Sequence, residues 1–456
     1  MTRAPDTPLA LGAALLVALP LAAAAAVQPV LAVGAVLAVL MGLLVLFRPD
    51  LVLLVLVAAL PWEDTLAPPS SPLPVVKILG FLLIVSWAID LARGRSPLRL
   101  PSVLVAVAAF VFTIGVSFVL SPDQVASQSK TSSYLLFALF FFVVLQLVRD
   151  HDQVRRVIAV ITLSAAAAAT KGLYALLVQG LDRAAGPIED PNGYAYVLAA
   201  VLPLVGYLVA TDRPRRLLWS ACFALIAAAV AATLSRGSIV GLATLVLWAL
   251  ISGRASFRGA VAGGAGLLAV GALVFALLTP DIDARIERKQ SYGEKNVASR
   301  QAFWRGALAM AADRPLTGVG PARFGAEAQQ YIKRNPVALR DPVVHNSYLE
   351  ILAESGIFAL GAFLTFLVAS WRLLALGRAR AREAADADAS RLASALQGTL
   401  IVALVSGAFI SAQLTTPFWL IGGLAAVFAL SPPAPAGRAA RGSVPRPTAV
   451  LRPSVP

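Results

Sequence analysis

The chain has 456 residues, of which 59% are hydrophobic and 14% are charged, whereas soluble globular domains carry about 25% charged residues. Its 38 basic and 24 acidic residues give a net charge of +14, and it contains a single cysteine, Cys222. This composition excludes a soluble globular protein. The lone cysteine excludes an intramolecular disulfide and a cysteine-based metal cluster.

Apolar segments long enough to span a bilayer recur along the whole chain. A spanning helix needs about 20 mostly apolar residues, and its backbone polar groups must be paired within the helix. We therefore predict an all-α fold, a polytopic transmembrane helical bundle of about 12–14 spans. The predicted spans are residues 9–27, 30–47, 51–66, 75–92, 101–120, 133–148, 155–178, 193–210, 216–234, 237–252, 259–279, 347–375, 394–412 and 416–431. A cleaved signal peptide is the alternative for the first of them.

The basic residues predict the orientation of the bundle. With a cytoplasmic N-terminus, 22 of the 38 Lys and Arg fall in inner connections and in the tail, as the positive-inside rule requires. The division is then helices 1–11 in residues 1–279, an outer-face loop at 280–346, helices 12–14 in 347–431, and a disordered cytoplasmic Pro/Arg-rich tail at 432–456. The tail arginines are expected on anionic membrane lipids, which accounts for part of the charge without nucleic acid.

The loop at residues 280–346 is the longest connection between predicted spans. Helical patterns at 302–311 and about 323–333 predict a small helical cap on the outer membrane surface. The loop is net basic, and arginine forms forked hydrogen bonds with phosphate. The loop therefore favours an anionic, phosphate-bearing substrate, with Arg300 and Arg323 among the candidate ligands. The alternative for each arginine is that it only solvates the cap.

His345 is one of only two histidines and opens the stretch "HNSYLEILAESG". Ser347 and Glu350 have the spacing of a capping box, which predicts that a helix starts at Ser347. The positive end of that helix favours a neutral imidazole, which can accept a proton as a general base. A polar interface residue is the alternative. The other histidine, His151, is predicted to be solvated.

Several polar residues are predicted on the same outer face as His345. Glu354 lies one turn further into the span, where a carboxylate needs a partner, and we predict an arginine. The stretch "LSRGS" holds Arg236 at the outer surface, and "DRAAGPIEDPNGYAY" adds Arg183 and Asn192. Asp190 fits a turn and helix start.

The stretches "EDPNGYA" (189–195), "LSRGS" (234–238), "SR" (299–300), Trp304, "RPLTGVGPARF" (314–324) and "HNSYLEILAESGIFALGAFL" (345–364) occur in this order. Together they resemble the O-antigen ligase and polymerase family of bacterial membrane glycosyltransferases. The resemblance covers approximately residues 170–370 and does not separate the members of the family.

The resemblance implies transfer of a glycan from polyprenyl (undecaprenyl) diphosphate to an acceptor hydroxyl, in lipopolysaccharide or surface-polysaccharide biosynthesis. It implies the periplasmic face of the bacterial inner membrane, no cofactor, no essential metal, and inversion at the anomeric carbon. A glycolipid acceptor (a ligase), a growing glycan (a polymerase) and a protein hydroxyl all remain open.

The resemblance also implies roles for residues. His345 would be the general base, and Arg236 and Arg300 would bind the diphosphate. Arg183 and Arg323 are further candidates for diphosphate binding, and Asn346, Glu354 and Asn192 are candidates for supporting roles.

Two other classes of function compete with a transferase. A transporter or flippase for an anionic lipid or solute would also use arginines within the membrane, but it would usually show repeats or paired broken helices. A purely structural membrane protein is disfavoured, because charges buried in a span are costly without a ligand.

Overall fold

The computed structural model describes residues 41–66, 75–95, 98–253, 282–332 and 342–430, with the backbone alone for residues 282–296. The described residues form helices, turns and loops, and they contain no strand. The prediction of an all-α fold is confirmed. The predicted spans at 9–27 and 259–279, most of the span at 30–47, and the tail at 432–456 lie outside the described residues.

The helices are numbered here in chain order. They are α1 (Pro49–Ala59), α2 (Val75–Ala92), α3 (Val103–Val119), α4 (Gln124–Leu147), α5 (His151–Leu177), α6 (Pro191–Thr211), α7 (Arg216–Ala232), α8 (Arg236–Ile251), α9 (Ile282–Asp313), α10 (Phe324–Tyr331), α11 (Ser347–Glu383), α12 (Ala387–Gly407) and α13 (Thr416–Leu430).

Apolar helices dominate the described part of the chain. Seven helical stretches have at least 18 residues and are apolar enough to cross a membrane, namely α2, α4, α5, α6, α11, α12 and Arg213–Ala232, which is α7 with the 3-10 turn before it. Four shorter apolar helices accompany them, α1, α3, α8 and α13. These eleven helices coincide with the eleven predicted spans that the described residues cover or nearly cover. The chain is a multi-pass membrane protein.

Short polar side chains start many of these helices. Asp123, Asp150, Asp190, Asn346 and Asp386 each accept a hydrogen bond from a backbone N–H in the first turn of the helix that follows. Such caps satisfy N–H groups that have no partner inside the helix. The cap at Asp123 also explains why α4 begins nine residues before its predicted span at 133–148.

Helix α11 lies at the centre of the bundle and packs against α3, α12 and α13. Its Phe366 stacks on Trp419 of α13 with ring centroids 5.2 Å apart. Its Phe363 lies 5.5 Å from the ring of Phe110 of α3. All four rings are almost fully buried, so this aromatic cluster fixes α11 relative to both neighbours.

The segment 315–320 inserts into a break in α11. The break lies at Gly356, whose φ of 82° is left-handed, a conformation that glycine adopts without strain. Around it, Ile357 N–H donates to Pro315 O at 2.8 Å, and the N–H groups of Val319 and Gly320 donate to α11 carbonyls at 2.9 Å. A Cβ atom at Gly356 would overlap the 316–317 backbone. The backbone groups released by the break are therefore paired with the inserted segment.

Helices α9 and α10 form the described part of the cap and share a small apolar core. Phe303, Met310, Phe324 and Val344 are buried together with Ala353 of α11. The helices occur where the patterns at 302–311 and 323–333 predicted them, although α9 is much longer, at 32 residues. The shared core ties the cap to α11 beside its first turns.

Candidate active site

His345 lies immediately before α11, in a backbone conformation that few residues adopt. Its φ is 51°, in the left-handed region that non-glycine residues occupy at a cost of about 1–3 kcal/mol. Val344 O accepts a hydrogen bond from Trp304 Nε1 at 3.0 Å, and Asn346 Oδ1 accepts from Tyr348 N at 3.0 Å. The residues on both sides of His345 are thus held by α9 and by α11.

The predicted capping box at Ser347 and Glu350 is wrong, although the helix does start at Ser347. Asn346 is the cap, and it accepts from the N–H groups of Tyr348 and Leu349. The Ser347 hydroxyl donates to Ile410 O at 2.8 Å and accepts from Ala412 N at 2.8 Å. The Ser347 hydroxyl, which the sequence pattern predicted as a helix cap, is therefore bonded to the backbone of another segment.

The His345 imidazole is held in its neutral form. Burial lowers its pKa from the ordinary value, and the nearby charge of Arg300 lowers it further. Asp190 and Glu350 act in the opposite direction without reversing the shift. The helix dipole predicted the same direction, but burial is the leading cause. A neutral imidazole at pH 7 has a nitrogen that can accept a proton.

Arg300 of α9 lies between His345 and the other arginines of the site. Its Nη1 donates to Phe409 O at 3.2 Å. Its Nε is buried and has no hydrogen-bond partner in the described part of the chain. Burial lowers the pKa of Arg300, with Asp190 opposing and Arg236 adding to that effect. A buried donor without a partner is costly, so this nitrogen is suited to receive an anionic ligand.

Arg183 joins the connection before α6 to the turn before α8. Its Nε donates to Thr233 O at 2.7 Å, and its Nη2 donates to Asn192 Oδ1 at 2.9 Å. Burial lowers its pKa; the charge of Asp190 opposes that shift and the charge of Arg300 adds to it. Asp190, which caps α6 through Gly193 N at 2.9 Å, thus faces Arg183, Arg300 and His345 together.

Arg236 is the first residue of α8, and its side chain is exposed. The residue two positions earlier, Leu234, has a left-handed φ of 54°. Gly237 packs so closely against Phe409 that a Cβ atom would overlap the ring-bearing carbon. Arg236 therefore follows a tight turn that packs against Phe409, the residue whose carbonyl oxygen accepts a hydrogen bond from Arg300.

The structure brings together five of the eight predicted site residues. They are His345, Arg183, Arg236, Arg300 and Asn192. The charge of Asp190 acts on Arg183 and Arg300, and the charge of Arg236 also acts on Arg300. Asn346 adjoins this cluster through the cap of α11.

Glu354 and Arg323 belong to a second, neighbouring cluster. Glu354 Oε2 accepts from Lys130 Nζ of α4 at 2.5 Å, and its Oε1 accepts from Phe324 N at 3.3 Å. The prediction of an arginine partner for Glu354 is wrong, because α4 starts early enough to bring a lysine there. Arg323 donates to Asp123 Oδ2 at 3.0 Å and to Glu327 Oε1 at 2.8 Å.

Two further parts of the site were missed in the sequence. Glu350 is buried and is paired with Lys130, Ser411 and Gln413. The loop between α12 and α13 supplies those last two residues as well as Phe409. None of these partners is near Glu350 in the sequence, so no local pattern indicates them.

Backbone strain is concentrated at these clusters. Among the described residues, left-handed φ angles at non-glycine positions occur at Leu234, Ala322, His345 and Ala385. Leu234 lies two residues before Arg236, Ala322 directly precedes Arg323, and His345 is itself one of the proposed site residues. Such strain is typical of functional sites.

The second histidine lies at the opposite end of α5 from the connection that carries Arg183. The prediction that His151 is solvated is wrong, because its ring stacks on Phe428 with centroids 4.5 Å apart. The described residues contain no group of three or more His, Cys, Asp or Glu side chains arranged to hold a metal ion.

Comparison with known proteins agrees with this assembly. Residues 221–364 match the model of a protein family described as O-antigen ligase. The match contains Arg236, Arg300, His345 and the inserted segment 315–320, but neither Lys130 nor the loop between α12 and α13. No curated protein matches the chain. This stretch of the chain is thus similar to the O-antigen ligase family, and the similarity supports a ligase- or polymerase-type membrane glycosyltransferase at the level of the family.

Proposed function

We propose that the protein transfers a glycan from a polyprenyl diphosphate, such as undecaprenyl diphosphate, to an acceptor hydroxyl at the outer face of the bacterial inner membrane. One observation carries this proposal above the others. A half-buried histidine with a lowered pKa lies beside Arg300, and Arg300 is in turn close to Arg183, Arg236 and the carboxylate of Asp190. That arrangement combines a proton acceptor with a binding site for a polyanion.

The histidine supplies the base for the first half of the reaction. The acceptor O–H proton passes to the His345 imidazole while the acceptor oxygen forms a bond to the anomeric carbon. Because burial and Arg300 lower the pKa of His345, the ring is free to take this proton at neutral pH. General-base catalysis of this kind contributes about 10²–10⁴-fold in rate.

The arginines act on the leaving group. The bond between the anomeric carbon and the phosphate oxygen breaks, and its electron pair leaves with the polyprenyl diphosphate. Arg236 and Arg300 stabilise the negative charge that develops, because their positions are fixed before the reaction. The unpartnered Nε of Arg300 gains a phosphate oxygen as its acceptor. A single displacement of this kind inverts the anomeric carbon.

The remaining predicted ligands take lesser roles in this proposal. Arg183 holds the connection before α6 against the turn of Arg236 through Thr233 O and Asn192, and one of its terminal nitrogens is left for the diphosphate. Both terminal nitrogens of Arg323 are paired with carboxylates. We therefore assign Arg323 to the support of the cap together with Glu354, and not to the diphosphate.

The orientation and membrane follow from the charge pattern. Basic connections lie at the ends of the helices opposite the site, and the positive-inside rule assigns those ends to the cytoplasm. The cap and the active site then face the periplasm, where a lipid-linked glycan and its acceptor would meet. Both termini lie in the cytoplasm.

The test is a transfer assay with purified full-length protein, undecaprenyl-diphosphate oligosaccharide and EDTA. Glycolipid, glycan and peptide acceptors are offered separately. Wild-type protein should transfer glycan to one of them, His345→Ala should lose that activity, and His151→Ala serves as the matched control. If His345→Ala transferred glycan at the same rate as His151→Ala, His345 would not be the general base. Diphosphate binding without transfer to any acceptor would favour a transporter.

A further inference from the structure

The loop of residues 408–413, between α12 and α13, contacts Arg300, the start of α11 and the turn that carries Arg236. Phe409 O accepts from Arg300 Nη1 at 3.2 Å. Ile410 O and Ala412 N both pair with the Ser347 hydroxyl at 2.8 Å. Ser347 follows His345 by two residues, so the loop joins the base to the arginine.

The same loop supports the turn that carries Arg236. The side chain of Phe409 packs on Gly237, and Ser406 Oγ, at the end of α12, donates to Gly237 O at 3.2 Å. A displaced loop would therefore move Arg236, Arg300 and the first turn of α11 together.

Glu350 anchors this loop from below. Its Oε1 accepts from Gln413 Nε2 at 2.7 Å, and its Oε2 accepts from the Ser411 hydroxyl. Lys130 of α4 is paired with the same carboxylate and with Glu354. The Glu350 side chain is only 8% exposed, and a buried carboxylate in three such contacts holds a fixed position.

We propose that residues 408–413 form a positioning loop, and that Glu350 is the positioning residue that sets its place and, through it, the place of Arg300. This inference rests on the proposed function, because it assigns Arg300 to the diphosphate. Neither Glu350 nor Ser411 touches the reacting atoms. Their effect on the reaction passes through Phe409 O and Ser347.

Four variants in the full-length protein test the loop. Ser411→Ala removes the hydroxyl that joins the loop to Glu350, and Ser411→Thr retains a hydroxyl. Glu350→Gln keeps the size of the side chain and removes its charge. Ser370→Ala is the matched control, because Ser370 is a buried hydroxyl of α11 that donates to Phe366 O of its own helix.

A displaced Arg300 should lower kcat more than it changes the donor KM. The product, free undecaprenyl diphosphate, carries more negative charge than the donor diester, so Arg300 contributes more to the product and to the transition state. Because misplacement by about 1 Å can cost 10²-fold in rate, Ser411→Ala should lower kcat about 10- to 100-fold. It should also weaken product binding, and Ser411→Thr should restore both.

The pH profile separates positioning from folding. Glu350 raises the pKa of His345, which also faces Arg300 and Asp190. Removing that charge should shift the acid limb of kcat/KM to lower pH in Glu350→Gln. Ser411→Ala keeps the carboxylate, so its acid limb should stay in place while kcat falls. A purely structural defect would lower the unfolding temperature of both variants without this difference.

Two results overturn the positioning role. One is that Ser411→Ala and Glu350→Gln, folded as judged by thermal unfolding, match Ser370→Ala in kcat and in binding of undecaprenyl diphosphate. The other is a loss that follows the unfolding temperature and is not restored by Ser411→Thr. If wild-type protein binds no undecaprenyl diphosphate, the proposed function itself fails. Binding without transfer still allows the positioning role to be judged from product affinity.

Discussion

Arg300 lies close enough to His345 for its charge to lower the pKa of the imidazole. The proposed base and the proposed diphosphate ligand are therefore electrostatically linked before any substrate binds. Burial of His345 acts in the same direction and is the larger effect. Removing the charge of Arg300 should therefore move the pH profile of kcat/KM in a definite direction.

The acid limb of kcat/KM should lie below the ordinary histidine pKa of about 6.5. The base must be unprotonated, so a lowered pKa preserves activity to lower pH, and kcat/KM reports the free enzyme. In Arg300→Gln the residual activity should show its acid limb at higher pH, because a positive charge has been removed. Arg305→Gln, an exposed arginine on the same helix, is the control. If the acid limb of Arg300→Gln stayed in place, the charge of Arg300 would not act on the group that titrates, and the electrostatic link between Arg300 and His345 would be contradicted.

Arg236→Ala and Arg300→Ala should each lower kcat by about 10²–10³-fold, as the loss of one fixed donor to a developing charge typically does. Steady-state kinetics with the lipid-linked donor measures the effect. Arg216→Ala removes an exposed arginine at the opposite end of α7 from the turn of Arg236 and should leave kcat unchanged. Equal activities in the three variants would refute the diphosphate assignment.

Lys130→Met should destabilise the fold by about 3–5 kcal/mol, because it leaves buried carboxylates without their cation. Glu350 and Glu354 are the carboxylates concerned, and their side chains are 8% and 3% exposed. Thermal unfolding in detergent measures the change, with the exposed Lys77→Met as control. Adding Glu354→Gln to Lys130→Met should recover part of the loss. Similar unfolding temperatures for Lys130→Met and Lys77→Met would contradict the ion cluster.

Gly356→Ala should lower the unfolding temperature, since its Cβ atom would overlap the inserted segment 315–320 and its φ of 82° is unfavourable for alanine. Gly361→Ala in the same helix has nothing within 4 Å of the added atom. It should be neutral or stabilising by up to about 1 kcal/mol, because alanine favours helix interiors. If both variants unfold alike, the inserted segment does not hold α11 in the way described.

The apolar helices were predictable because a spanning segment must form its backbone hydrogen bonds within itself. A run of consecutive apolar residues is therefore enough to indicate it. Arg236 and His345 could be proposed as site residues because they lie in short motifs at a helix start and directly before one, and Arg300 because it lies in the "SR" motif, which the structure places inside α9. Lys130 was not found as a partner, since 220 positions separate it from Glu350. The positioning loop, an apolar and polar mixture between two spans, carries no local pattern that indicates its contacts.

The errors at Ser347 and His151 have the same origin. In both cases a local pattern predicted a local role, a helix cap or a solvated charge. Tertiary contacts with Ile410 and Phe428 decided the outcome. Local reasoning places a side chain along its own helix, whereas the partner across the bundle depends on packing that only the fold supplies.

The rate of glycan transfer by His345→Ala, compared with His151→Ala in the same membranes, tests the central claim most directly. The account predicts a loss of about 10²-fold or more for His345→Ala, with binding of undecaprenyl diphosphate retained. His151→Ala should transfer glycan at the wild-type rate. Undiminished transfer by a folded His345→Ala protein would contradict the account.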